Sequence, residues 1–339
     1  MSQIGIGIVG TGSIVRTYLK CISEMATAKV VALCTTSPDR AREVEAEFGY
    51  PVFSDYQEFL AESDIDLVCV CNESGKHGEA IEAAAMAGKH ILSEKPLEVT
   101  TEKIDALITL CKERQVYLGC VLQNRCAADY KRAEEAIRSG KLGKLLMGNA
   151  SIDWYRSEDY YAKSEWRGTL ALDGGAAFIN QGIHTIDLLM NLMGPVVSVY
   201  AHVQTRVHKI EGEDVGAALV NYSNGAIGTL TAGTALYPGY PERLEVYGEK
   251  GSIIMEGGQI IAWNVEGEDP KGVSSETLGS GASDPTAIGH ENHKTVLEDM
   301  VEAIQMKRPP MVDGEEARKS VALINAIYES SKRRSLIHL

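Results

Sequence analysis

The order of apolar runs in the first third of the chain constrains the fold more than any other feature. Runs at residues 4–9, 30–34, 67–71, 90–92 and 117–122 alternate with stretches of 3.6-residue spacing that begin at Ser13, Pro38, His77 and Thr101. Strands that are apolar throughout must be covered on both faces, and a helix between consecutive strands makes them parallel. The pattern predicts an α/β architecture, a doubly wound parallel sheet, over residues 1–123. All seven cysteines (Cys21, Cys34, Cys69, Cys71, Cys111, Cys120 and Cys126) fall in or next to this stretch. An odd total without a CxxC pair fits buried thiols, and it argues against a disulfide framework or a zinc ribbon.

Beyond a predicted helix at residues 127–139 the pattern changes. Strand-like runs follow at 145–154, 197–207, 215–222, 226–232, 243–247 and 252–255, separated by turn signals such as Ser223-Asn224-Gly225. Short strands joined by such turns predict an antiparallel sheet. One long helical pattern, 176–193, precedes most of these strands, and two more, 291–306 and 315–333, close the chain; the Gly/Ser-rich 274–284 reads as a surface loop. A chain of 339 residues accommodates two domains, set here at 1–123 and 124–339, with the last helix able to pack back on the first.

Charge removes several partners. The net charge of −14 is shared evenly, with 11 basic and 18 acidic residues up to Gln123 and 22 and 29 after it. Without a basic face, nucleic acid is excluded as a partner. No stretch of about 18 apolar residues exists to span a membrane, and the run at 4–9 lacks the basic flank and cleavage site of a signal peptide. A cytoplasmic protein is the expectation.

Three constellations carry chemistry. Gly10-Thr11-Gly12-Ser13-Ile14-Val15 follows the first strand and opens the first helix, as a dinucleotide fingerprint requires. The first glycine permits the turn, the second lets backbone approach a pyrophosphate, and the helix N-terminus supplies amides and dipole. Val15 stands where the third glycine serves helix packing. At the end of the second strand, Thr35, Thr36 and Ser37 with Arg40 replace the carboxylate that would select NAD, so the cofactor is NAD(P) with a lean toward NADP. A competing reading has these hydroxyls cap the next helix. The second constellation, Ser93-Glu94-Lys95-Pro96, sits at the carboxyl end of a strand, where open α/β sheets bind ligands. In the third, Asn180, His184 and Asp187 are spaced i, i+4 and i+7 within the apolar stretch 178–193, which predicts one polar helix face. Asp153 to Arg167 is dense in aromatics and arginine, a composition suited to stacking on a sugar and to forked contacts with hydroxyls or phosphate. Arg156, Tyr161, Trp166 and Arg167 are the candidates. Gly289-His290-Glu291-Asn292-His293 lacks the HExxH zinc spacing and reads as a helix start, so no metal is expected.

Taken in order, the GxG turn, the Glu94-Lys95-Pro96 triplet and the helix bearing His184 and Asp187 resemble the Gfo/Idh/MocA oxidoreductases across essentially the whole chain. The resemblance implies a Rossmann domain, then an α+β domain with a large open, mostly antiparallel sheet, often used for homodimers or homotetramers. It also implies hydride transfer between a nicotinamide and a sugar or polyol. Carried over, Gly10, Thr11, Gly12, Ser13 and Ile14 would contact the pyrophosphate, and Glu94 would lie near the nicotinamide ribose. Cys71, Asn72 and His77 would line the same cofactor, and Gln123 and Arg125 match a family element near the nicotinamide. Lys95 would bind the reacting oxygen, His184 would exchange its proton, and Asn180 and Asp187 would complete the site. The Lys95–Pro96 bond is a candidate for cis geometry. Two departures stand out: Asn180 replaces an aspartate common in the family, and Glu73 puts negative charge in the loop after the third strand. The same family also contains glycosidases or lyases that oxidise a sugar transiently with NAD, and non-catalytic sugar-sensing regulators.

Overall fold

Residues Ile4–Val9 are buried without exception, and they form the first strand, β1. In the computed structural model, which describes residues 3–268 and 289–339, β1 is the centre of a sheet with β2 (Ala28–Cys34), β3 (Val52–Phe53), β4 (Leu67–Val70), β5 (His90–Ser93) and β6 (Leu118–Cys120). The strand order is β3-β2-β1-β4-β5-β6 and every pairing is parallel. Helices α1 (Val15–Ser23), α2 (Pro38–Phe48), α3 (Tyr56–Ala61), α4 (His77–Met86) and α5 (Thr101–Glu113) connect the strands. The order reverses between β1 and β4, and that reversal opens a crevice at the strands' carboxyl ends. Two-residue β3 and the single turns of α3 escape periodicity because each is shorter than the pattern that would reveal it.

The second sheet is built from β7 (Leu145–Asp153), β8 (Val196–Gln204), β9 (Val215–Tyr222), β10 (Ile227–Gly233), β11 (Arg243–Gly248), β12 (Gly251–Glu256) and β13 (Gln259–Val265), with β14 (Ile337–His338) at its edge. Its order is β13-β12-β11-β7-β10-β9-β8-β14. All pairs are antiparallel except β7 with β10, which run parallel because a helix and a hairpin intervene between them in sequence. The apolar underside packs on α8 (Ile183–Met193), which is entered through a π-helical turn at Ala177–Gly182; α6 (Ala128–Arg138) lies against α8 and β13, and short α7 (Glu158–Ala162) follows β7.

The chain ends with α9 (Glu291–Met306) and α10 (Gly314–Arg333). By contacts the molecule divides into one unit of residues 1–123 and 290–318 and another of 124–289 and 319–339. Residues 290–318 therefore do not join the second unit as the boundary at 124–339 expected. Helix α9 packs on α1 and β5, its His293 ring meets Tyr18 edge-on at 6.5 Å, and Asp313 bridges to Gly119 beside β6. The expected loop at 274–284 lies outside the described residues.

Candidate functional site

In the first unit, β1 ends at Gly10, whose φ of +95° and contacts leave no room for a side chain: a Cβ would lie 2.6 Å from the Asn72 amide nitrogen and from Cys71 backbone atoms. Gly12 differs. A Cβ there would meet nothing within 4 Å, so nothing in the chain itself demands glycine at that position. Helix α1 begins just beyond it with no side-chain cap and no acid in its first turn. Asn72 Oδ1, in the loop against Gly10, and Gln123 Oε1, after β6, are buried without a hydrogen-bond partner among the described residues. Open space over a glycine, an uncapped helix N-terminus and two unsatisfied acceptors fit a bound dinucleotide. The amides from Gly12 to Ile14 are the groups able to hold its pyrophosphate.

The second-strand end tells against a free phosphate-binding fork. Ser37 caps α2 by accepting from the Arg40 N–H at 3.2 Å, with Pro38 in the first turn. The Arg40 guanidinium donates to the Thr11 carbonyl at 3.3 Å and to Glu43 at 3.0 Å, and Thr11 and Thr35 join hydroxyls at 3.2 Å. Thr36 is exposed. Glu73 pairs with Lys76 at 3.6 Å, which answers its charge locally.

Between Ile91 and Val99 only Glu94 and Lys95 are not buried. Tyr18 donates its hydroxyl to Glu94 Oε1 at 2.9 Å, and His293 Nε2 lies 3.9 Å from the same oxygen. The Lys95–Pro96 bond is cis. His77, expected to line the cofactor, is 1% exposed, with Nδ1 2.7 Å from the Pro96 carbonyl and Nε2 3.1 Å from that of Asn72, so it ties two strand-end loops together. Burial pushes its pKa down. Cys71 is likewise buried, and desolvation raises its thiol far above the ordinary range, as it raises Cys34 to about 12. These are inert packing groups.

The second unit repeats the motif on a helix. From Gly175 to Leu189 every residue is buried except Asn180 and His184. Asn180 is fixed from both sides, donating Nδ2–H to Asp173 and accepting from Gln181 at 2.7 Å. Asp187 was expected on the same face. Instead it is 1% exposed and turned to Arg125, whose Nε and terminal nitrogen donate to it at 2.7 and 2.6 Å, and to the Ser320 hydroxyl at 3.1 Å. Helical spacing alone missed this because Asp187 is engaged by Arg125, and because residues 177–182 wind as a π-helix, which shifts Asn180 out of the assumed register with α8.

Around Tyr160, which sequence reasoning passed over, two cations gather. The Arg167 guanidinium lies 4.2 Å from its ring centroid and the Arg156 guanidinium 5.5 Å. Arg156 is 3% exposed, donates to Gln181 Oε1 at 2.7 Å and packs 4.9 Å from the Trp154 ring. Gln181 donates to the Tyr160 hydroxyl at 2.9 Å, so the arginine pair and Asn180 belong to one network. Burial lowers the Arg156 pKa, and the neighbouring Arg167 charge lowers it further. Trp166 borders Arg167 at 5.8 Å. Tyr161, by contrast, is 8% exposed and points inward, its hydroxyl 2.9 Å from Thr234 Oγ1 and its ring against His208, so it anchors α7 rather than facing a ligand.

Comparisons with known proteins agree with this layout. Residues 4–121 match the model of an oxidoreductase family with an NAD-binding Rossmann fold, and residues 130–254 match the GFO/IDH/MocA C-terminal domain. The WlbA dehydrogenase of Bordetella pertussis, solved with NADH and UDP-GlcNAcA, superposes with a TM-score of 0.90 at 31% identity over 99% of both chains. Its counterpart from Chromobacterium violaceum, solved with the same two molecules, gives 0.89 at 28% identity over 100% of this chain and 96% of that one. Myo-inositol 2-dehydrogenase of Thermotoga maritima is 25% identical over 98% of each chain.

Proposed function

The chain belongs to the Gfo/Idh/MocA family of nicotinamide-dependent oxidoreductases acting on sugar and polyol hydroxyls, and from that premise we propose that its own substrate is a nucleotide-linked sugar bearing a carboxylate. The observation that carries the proposal is the pair of guanidinium groups on Tyr160: two like charges, one of them buried, are stabilised when an anion joins them. An inositol or neutral sugar offers no such partner. Similarity to the two WlbA dehydrogenases, whose complexes contain UDP-GlcNAcA, supports the same substrate class.

Bound NAD supplies the hydride acceptor. The chain's contribution is to bind, orient and move a proton. Lys95 holds the reacting oxygen and stabilises the charge that grows on it. His184, whose Nδ1 is buried, accepts the hydroxyl proton at Nε2. Asn180, locked between Asp173 and Gln181, fixes polar contacts beside it. Reduction runs these roles in reverse. NAD rather than NADP is the cofactor we assign, because Arg40 is engaged with Glu43 and the Thr11 carbonyl; this departs from the lean toward NADP drawn from the hydroxyl-rich strand end.

We also assign the second sheet's outer face to a second copy of this chain. Tyr200 pairs with Leu219 across β8 and β9, and Ile227 with Met147 across β10 and β7; the four are exposed by 48, 59, 51 and 37%. Light scattering should then give a dimer or tetramer, and a monomer would refute the assignment. Among the described residues no helix is long and apolar enough to cross a membrane.

The test of substrate class is NADH formation with NAD+ and UDP-GlcNAcA, set against UDP-GlcNAc and myo-inositol. Turnover should require the carboxylate, and Arg167→Ala should raise KM for the acidic sugar by about tenfold or more. Equal turnover of the acidic and neutral sugars would remove the proposal.

A further inference from the structure

Three consecutive amides open the helical segment that carries Asn180 and His184, and one residue from elsewhere in the second unit, Glu213, collects them. Glu213 Oε2 accepts from the Ala176 N–H at 3.2 Å and Oε1 from the Phe178 N–H at 2.7 Å. Between them the Glu213 carbonyl takes the Ala177 N–H at 3.1 Å. Tyr328, on α10, donates its hydroxyl to Glu213 Oε1 at 3.0 Å. A helix's first amides are usually satisfied by the residue just before it, but Ala176 has no oxygen to offer and the segment has no local side-chain cap. Gly175 makes the remote cap possible. Its φ is +144°, and a Cβ would lie 2.4 Å from the Tyr328 hydroxyl and 2.9 Å from Glu213 Oε2.

We propose that Glu213 and Tyr328 are positioning residues for the hydroxyl-oxidising site: Glu213 holds the first amides of the π-helical turn, Tyr328 holds Glu213, and together they fix the winding that leaves Asn180 and His184 as the two open positions of an otherwise buried segment. The inference rests on His184 being the proton-exchanging group proposed above.

The chemistry of the cap makes this testable by pH. An ionised carboxylate accepts from all these donors, whereas a protonated one turns an O–H toward an N–H. Glu213 is 5% exposed, and burial pushes its carboxyl up to about 7 although the amides and Tyr328 pull it down. The titratable groups around it are few. Tyr328 faces it from α10, Asp173 acts on that tyrosine from the preceding turn, and neighbouring Asp214 is turned away to the amides of Arg206, Val207 and His208. Among the described residues no salt bridge to Glu213 is formed.

Because the folded state holds the proton more tightly than the unfolded chain, this group's contribution to stability is complete below its ordinary pKa of 4.5 and is lost as pH rises toward about 7. Turnover should move the other way over the same interval, since the ionised cap is the one that positions the turn. Opposite pH trends in stability and kcat are the signature of this residue.

The experiment compares the full chain with Glu213→Gln and Tyr328→Phe, using NAD+ and the acidic nucleotide sugar. Glu213→Gln should lower kcat about tenfold or more with KM for NAD+ little changed. It should also make the acid limb of kcat shallower and remove the fall in melting temperature between pH 4.5 and 7. Tyr328→Phe, the milder change, should lower kcat by less and keep the pH trends. It decides the matter if Glu213→Gln does not fold. Lower melting temperatures with kcat and its pH limb intact would show a merely structural cap and overturn the inference. His184→Asn separates the two levels: if it abolishes turnover while the Glu213 variant behaves as wild type, positioning alone fails, and if it leaves turnover unchanged, the site assignment itself fails.

Discussion

Two short stretches, residues 91–99 in the first unit and 175–189 in the second, each bury everything except a pair of polar residues, and the pairs are held in different ways. Glu94 and Lys95 are neighbours in the chain at the end of β5, fixed by a Tyr18 hydroxyl and by the loop contacts His77 makes. Asn180 and His184 are separated by a turn: Asn180 is held by Asp173 and its neighbour Gln181, while the first amides of the segment are held by Glu213, itself bonded to Tyr328, from distant parts of the unit. A strand end needs little more than its sheet to aim a side chain. A helix that changes winding needs its first amides capped before any of its faces is defined.

The first way to test that contrast is to remove the strand-end pair's charged member. Lys95→Ala should lower turnover by on the order of a thousandfold, since Lys95 is the group we propose to answer charge on the reacting oxygen, while NADH binding measured by fluorescence titration persists. A variant that turns over normally would mean that the half-buried pair following β5 is surface, not site.

The second strikes the helix below its polar pair. Asp187 makes a two-pronged bond with Arg125 in a place where the aspartate is 1% exposed, and removing one partner of such a pair costs about 3–5 kcal/mol. Asp187→Ala should therefore lower stability in chemical denaturation by about that amount, with substrate KM nearly unchanged in whatever remains folded. A large rise in KM at intact stability would restore the substrate contact that helical spacing suggested.

How much of each stretch was legible in the sequence follows from the same contrast. The parallel sheet, the glycine turn and the Glu94-Lys95-Pro96 triplet are local in sequence, and periodicity and motif spacing recover them. So were β9 and α9, whose boundaries match the runs at 215–222 and 291–306. What stayed hidden was long-range. Nothing near Phe178 announces that its amide is capped from Glu213, and nothing near Glu291 shows that α9 packs beside β5. Asp187 illustrates the cost: its spacing from His184 is right for a shared face, but Arg125, far off in sequence, decides where it points.

The smallest expected effect is the sharpest check on the first unit. Gly10 and Gly12 sit in one turn, yet only Gly10 is required by its protein neighbours. Gly10→Ala brings a Cβ to 2.6 Å from the Asn72 amide nitrogen at a φ of +95°, so it should destabilise the unliganded chain by about 1–3 kcal/mol. Gly12→Ala meets nothing, and the melting temperature without cofactor should hold. Its methyl would instead occupy the space open above the N-terminus of α1, so NAD affinity should fall by about tenfold, roughly 1.4 kcal/mol. If isothermal titration found NAD binding undisturbed, the space over Gly12 would not be the pyrophosphate's, and the parallel drawn between the two half-buried pairs would lose its cofactor half.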